Sequence, residues 1–170
     1  ILKLFLYIGK KEQKKRFEKL MSDPASAWRV SKGDLKRNEQ YEEYKRINDE
    51  MLQKTDTDCA PWTIIESVDR EFATVKIYMS VIRCLTEAIE AKKKMLAGKE
   101  RQKEETAGTE QADLQTSSDE LIDDSVMRTS SLHSVDLSLT YKKEEYKKYL
   151  GELQSQIEHL HGELYRRRIP

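Results

Sequence analysis

The heptapeptide LKLFLYI, residues 2–8, constrains the fold more than any other stretch of this chain: six of its seven residues are apolar or aromatic. A run that short, with Leu2, Leu4, Leu6 and Ile8 alternating with Lys3, Phe5 and Tyr7, reads as a strand covered on both faces, the pattern of a parallel sheet. Gly9 ends it, and a helix over EQKKRFEKLM follows until Asp23-Pro24 stops it. A second strand, WTIIESV at 62–68, is introduced by Pro61. Between the strands the pattern predicts one long helix from about Asp34, as its N-cap, to Lys54, with Tyr44, Ile47 and Met51 as a narrow apolar stripe. A further helix runs from about Arg70 to Lys94, with Phe72, Val75, Met79, Ile82, Leu85 and Ile89 on one side. Strand, helical excursion, strand, helix is the order of an α/β sheet. Two strands do not complete such a sheet, so its other strands are expected outside these residues.

Past this region the chain changes character. Residues 98–138 contain no aromatic residue, carry 4 basic and 10 acidic side chains, and show no sustained period. Such a segment buries too little apolar surface to offset its ordering entropy, and it reads as a disordered acidic linker. Residues 139–170 recover a helical stripe through Tyr146, Leu150, Leu153, Ile157, Leu160 and Leu164, closing on cations favourable at a helix C-terminus. An isolated helix of this kind needs a surface to pack on.

The formal net charge of zero conceals a partition, because residues 1–97 carry 20 basic against 16 acidic side chains. Seven of the first twenty residues are basic, opposed only by Glu12 and Glu18. Lys11, Lys15 and Lys19 repeat at i, i+4 and i+8 on one helical face, with Arg16 beside them. A basic helix leaving the C-terminal end of a parallel strand stands where α/β folds bind ligands, and it suits a polyanion. A solvated basic face is the bland alternative. Other chemistry is thin. No phosphate-binding GxxxxGK[ST] loop, GxGxxG or GxSxG is present. His133, His159 and His161 and the paired carboxylates read as solvated groups, Trp28 and Trp62 as buried anchors, and Cys59 and Cys84 as reduced thiols of a cytoplasmic protein. No apolar run approaches the roughly 20 residues of a membrane span.

Three ordered motifs then carry a resemblance. YIGKKEQKKRF, DPASAWRVSKGD and TDTDCAPWTIIES followed by VDREFA contain EQxxRF, DPxxxW(K/R)xSxxD and TxTxxAPWxxxxxxD(K/R)xxA. Together they resemble the polyphosphate kinase 2 family, and the final helix resembles the helix that opens that family's domain. The order is similar to tandem, two-domain members, the polyphosphate:AMP phosphotransferases. The resemblance implies a fragment: the C-terminal part of a first domain at 1–97, the linker at 98–138, and the N-terminal helix of a second domain at 139–170. It implies a P-loop-kinase-like, three-layer αβα fold with a parallel sheet and a helical lid. The implied activity is phosphoryl transfer between inorganic polyphosphate and a nucleotide of the AMP or ADP type. Mg2+ is implied with ligands outside this chain, and no catalytic residue falls within it. Carried over by motif, Arg16, Arg29 and Arg70 join Lys11, Lys15 and Lys19 as polyphosphate-facing lid cations, while Gln13, Trp28, Asp34, Pro61 and Trp62 are structural positions. The sequence departs from the family at Tyr7-Ile8, where HI is usual, and at Leu20 and Thr74, where arginines are common. Polyphosphate and nucleotide are thus the implied partners, without nucleic acid or membrane, and a homo-oligomer is compatible with the reading. A non-catalytic polyanion-binding or coiled-coil interaction module remains the alternative.

Overall fold

A computed structural model describes residues 1–104 and 131–168, with the side chains of 99–104 left aside. Its two strands are β1 (Lys3–Tyr7) and β2 (Trp62–Glu66), and they pair in parallel with Phe5 opposite Ile64 and Tyr7 opposite Glu66. Between them run α1 (Lys10–Met21), a 3-10 turn (Ala27–Arg29), α2 (Lys32–Glu39) and α3 (Tyr41–Thr55). After β2 come α4 (Arg70–Glu104) and α5 (Lys143–Arg167).

The parallel pairing follows the sequence expectation. Coverage of both faces does not extend to all of β1, because Leu6 is 60% exposed. The excursion between the strands also differs from one helix capped by Asp34. Ser31 is the N-cap of α2, and Asp34 sits three residues later, closing a reciprocal capping box. The Ser31 amide and hydroxyl donate to Asp34 Oδ2 at 2.9 and 2.6 Å, and the Asp34 amide donates back to Ser31 Oγ at 3.2 Å. The Ser31 hydroxyl, then its amide, hold the Asp34 carboxyl below the usual aspartate range. Gln40 breaks the helical run and starts α3.

The stripe expected on α3 is rotated. Tyr44, Ile47 and Met51 are exposed, whereas Leu52 is 2% exposed and Asp49 is buried. The core that Leu52 enters contains Tyr7, Ile64 and Leu132, with Phe5, Tyr41, Trp62, Val135 and Leu137 packed around it. The packed face instead follows Tyr41 and Leu52, the former donating its hydroxyl to the Ile8 carbonyl at 2.6 Å. Burial, with Tyr7 beside it, raises the Tyr41 phenol above its ordinary range and keeps it a neutral donor.

Alternation along β2 turns Thr63 and Ile65 to the opposite face from Ile64, and both are fully buried where α4 packs along the strand. At the end of the strand Lys76 Nζ of α4 meets Glu66 Oε2 at 2.7 Å, with both side chains under 5% exposed. α4 continues past Lys94 to Glu104, so the helix passes the residue, Gly98, at which a linker was expected to begin. The other end of that expected linker is also structured: Leu132 is 2% exposed within the core. The remainder of the expected linker, 105–130, lies outside the described residues. The surface that α5 needs is α4, against which it packs, with Lys93 3.8 Å from Glu163. Arg167, which donates to Glu163 at 3.1 Å, holds that carboxyl below its usual range.

Candidate polyanion-binding edge

In a parallel sheet every strand points the same way, so all the strand-to-helix turns gather at one edge. Here those turns are Ile8-Gly9 after β1 and Ser67–Asp69 after β2. The ladder holds them together for one residue beyond β2, through the Ser67 amide donating to the Tyr7 carbonyl at 2.8 Å. Asp69 caps α4, accepting the Phe72 amide on Oδ1 at 2.6 Å.

Arg16 spans this edge. Its Nη2 donates to the carbonyls of Ser67 and Val68 at 2.7 and 3.1 Å, and its Nε donates to Glu12 Oε1 at 2.8 Å. The sequence reading pointed this arginine at a polyanion; the structure has it tying α1 to the β2 exit, with the side chain 43% exposed. Gln13 has a similar tying role, accepting from the buried Asn38 amide group at 2.8 Å while Asn38 also donates to the Lys10 carbonyl. That contact fixes α2 on α1.

The remaining cations are open. Lys11, Lys15 and Lys19 lie exposed along α1, Arg29 on the 3-10 turn packed against α1, and Arg70 on the first turn of α4. Among the described residues none of these five forms an ion pair. Solvation is therefore what balances their charge, and an incoming anion meets no carboxylate that it must displace from them.

Trp28 differs from the buried anchor expected, being 80% exposed, with its indole N–H donated to the Ala25 carbonyl at 2.9 Å. Trp62 is half-buried and bonded on both sides. Its indole donates to Thr55 Oγ1 at 2.8 Å and its amide to Asp56 Oδ1 at 2.8 Å. Lys3 lies over its ring at 5.0 Å and Phe5 meets it edge-on. Pro61, exposed, precedes the strand, where its missing N–H costs no ladder bond.

A cavity of about 700 Å³ lies at the opposite, N-terminal end of β2, lined by Asp58, Cys59, Trp62, Thr63 and Cys84. Among the described residues no three His, Cys, Asp or Glu side chains converge as a metal site would. The described residues thus form no magnesium site. No helix is long and apolar enough to cross a membrane among the described residues. Sequence reasoning missed the Glu66–Lys76 pair, since a charged residue at a strand end and another a helical turn and a half into α4 carry no local signal of meeting.

This edge defines an α/β domain with a cation-bearing helical segment over its strand-to-helix turns. The family Polyphosphate kinase 2 (PPK2) matches residues 1–97, and the chain belongs to it. Among curated proteins it is 35% identical over 82 residues to ADP-polyphosphate phosphotransferase 3 of Rhizobium meliloti (strain 1021), covering 48% of this chain and 29% of that protein. It is 33% identical over 91 residues to a polyphosphate:AMP phosphotransferase of Pseudomonas syringae pv. tomato, covering 54% and 18%. To a polyphosphate:AMP phosphotransferase of Pseudomonas aeruginosa it is 29% identical over 157 residues, covering 92% and 28%. The chain thus spans under a third of the length of these relatives.

Proposed function

We propose that the protein to which this chain contributes transfers a phosphoryl group between inorganic polyphosphate and a nucleotide, and that residues 1–97 supply a basic lid to it. The observation that carries this reading is the set of unpaired cations, Lys11, Lys15, Lys19, Arg29 and Arg70, on elements that leave or flank the C-terminal edge of a parallel sheet in a chain of this family. Phosphoryl transfer draws chiefly on positioning and on cations around the charge that spreads over the transferred group. Lysines spaced one helical turn apart offer a chain of phosphates a row of point charges rather than a single fork. Arg16 contributes by holding α1 to Ser67 and Val68, which fixes where that row lies, and its free edge is open to an anion. AMP or ADP is the acceptor in this reading, as the relatives' names suggest for those proteins.

The match to the Pseudomonas aeruginosa relative is longer than the 97 residues of the family region and so must run past it. It supports placing this chain across the junction of two successive units, with α5 opening the second. The phosphate-binding loop is absent from all 170 residues, so this chain alone is expected to transfer no phosphoryl group. The deciding experiment supplies the full-length protein with polyphosphate and AMP or ADP, and in parallel with ATP as donor. Product formed from polyphosphate is the expected result. Product formed from ATP alone would overturn the reading.

A further inference from the structure

Residues 131–141 lie outside the family match at 1–97, yet they complete the core of that region. The Leu132 side chain is buried against Tyr7, Leu52 and Ile64, and its amide donates to Asp49 Oδ1 at 2.8 Å. Gln53 donates to the other Asp49 oxygen at 3.1 Å, so this buried carboxylate has a partner on each side. Beyond Leu132 the segment meets both strand-to-helix turns in succession. Leu137 packs over Gly9, where an added Cβ would sit 3.4 Å from its Cδ1. Thr140 then donates its hydroxyl to Asp69 Oδ2 at 3.1 Å, the same carboxylate that caps α4. Tyr141 stacks on Phe72 with ring centres 5.5 Å apart and touches Tyr149 of α5 at 5.4 Å.

One short segment therefore grips the start of α1, the start of α4 and the start of α5. Arg16 bridges the first two of these from the solvent side. We propose that residues 131–141 are a clasp: they hold the two turns of the basic edge in register and couple the docking of α5 to the anion-receiving arrangement of α1. The docking partner of the groove formed by Phe5, Tyr7, Leu52 and Ile64 is thus the chain's own downstream segment. The coupling to anion binding rests on the function proposed above; the grip on the turns does not. Physically, the clasp touches α1 at Gly9 and α4 at Asp69, so whatever free energy a docked clasp adds to anion binding at α1, a bound anion adds equally to clasp docking.

The test uses the full-length protein carrying Leu137→Ala and Thr140→Val, which remove the contacts to Gly9 and Asp69 and leave the buried Leu132 in place. Amide exchange and binding of inorganic polyphosphate are both measured. The clasp predicts exchange at the first bonded amides of the two helices, Gln13 in α1 and Phe72 and Ala73 in α4, faster by roughly tenfold, with Ile64 and Ile65 unchanged, and polyphosphate bound several-fold more weakly. Unchanged exchange at both turns would overturn the clasp. Faster exchange with unchanged affinity would overturn the coupling. If the parent itself binds no polyphosphate, the functional reading falls, while the exchange data still decide whether the segment grips the turns. An Arg29→Ala control, which removes none of the clasp's contacts, should weaken polyphosphate binding and leave exchange at Phe72 and Ala73 as in the parent.

Discussion

At the scale of single residues the cations divide by what they touch. Arg29 is exposed and forms no ion pair among the described residues, so Arg29→Ala should weaken polyphosphate binding without moving the urea midpoint. Arg16 donates to Ser67 and Val68 as well as Glu12, so Arg16→Ala should do both. The stability loss should be on the order of 1 kcal/mol, less than for a buried charged bond because the guanidinium is partly solvated. Paired urea titrations of the two variants check this; equal midpoints would show that the Arg16 contacts do not hold in solution. Lys76 is the more severe case. Lys76→Met strands the buried Glu66 carboxylate and should cost about 3–5 kcal/mol, whereas Lys76→Met combined with Glu66→Leu should restore much of it. A double variant as unstable as the single one would contradict a pairing origin for the loss.

Among the elements, α2 depends most visibly on protonation. The carboxyl of Asp34 titrates below its unfolded value, because the Ser31 hydroxyl and amide donate to its charged form. A depressed carboxyl contributes stability that is present above the unfolded value and lost as pH falls through the folded one. The Ser31–Arg37 turn should therefore loosen below the usual aspartate range while the sheet persists, which amide chemical shifts followed through acid titration would reveal. An Asp34→Ala protein in which α2 is as firm as in the parent would contradict the box. This element also shows what the sequence carries and what it hides. Gly9, Asp23-Pro24 and Pro61 punctuate β1, α1 and β2 because local backbone chemistry decides those boundaries. The Ser31 cap was obscured by Asp34, since either residue type caps a helix and only the chain's path chooses between them. The rotation of α3 was hidden because Leu52 packs on Leu132, 80 positions further along the chain, and no window of sequence spans that distance. The basic row on α1 was legible from spacing alone. That Arg16 would spend its donors on Ser67 and Val68 was not, for the same reason of distance.

In the molecule as a whole, residues 131–141, from beyond the family-matched region, pack on the core and on both turns of the basic edge. Leu132→Ala should cost about 2–4 kcal/mol, as for a well-packed leucine, and its effect should appear at Tyr7 and Ile64 although 132 lies far downstream. A loss confined to residues 131–142, read by amide exchange, would argue that the segment rests on the core without completing it. The central functional claim is tested most directly by titrating the full-length protein with inorganic polyphosphate over a range of salt concentrations. The titration is then repeated with Lys11, Lys15 and Lys19 replaced by glutamine. Exposed charges act through a screened field, so the parent's affinity should fall steeply as salt rises, and the triple variant should bind more weakly with a shallower dependence on salt. An affinity and a salt dependence identical to the parent's would show that the row on α1 is a solvated face and not a polyphosphate-binding lid.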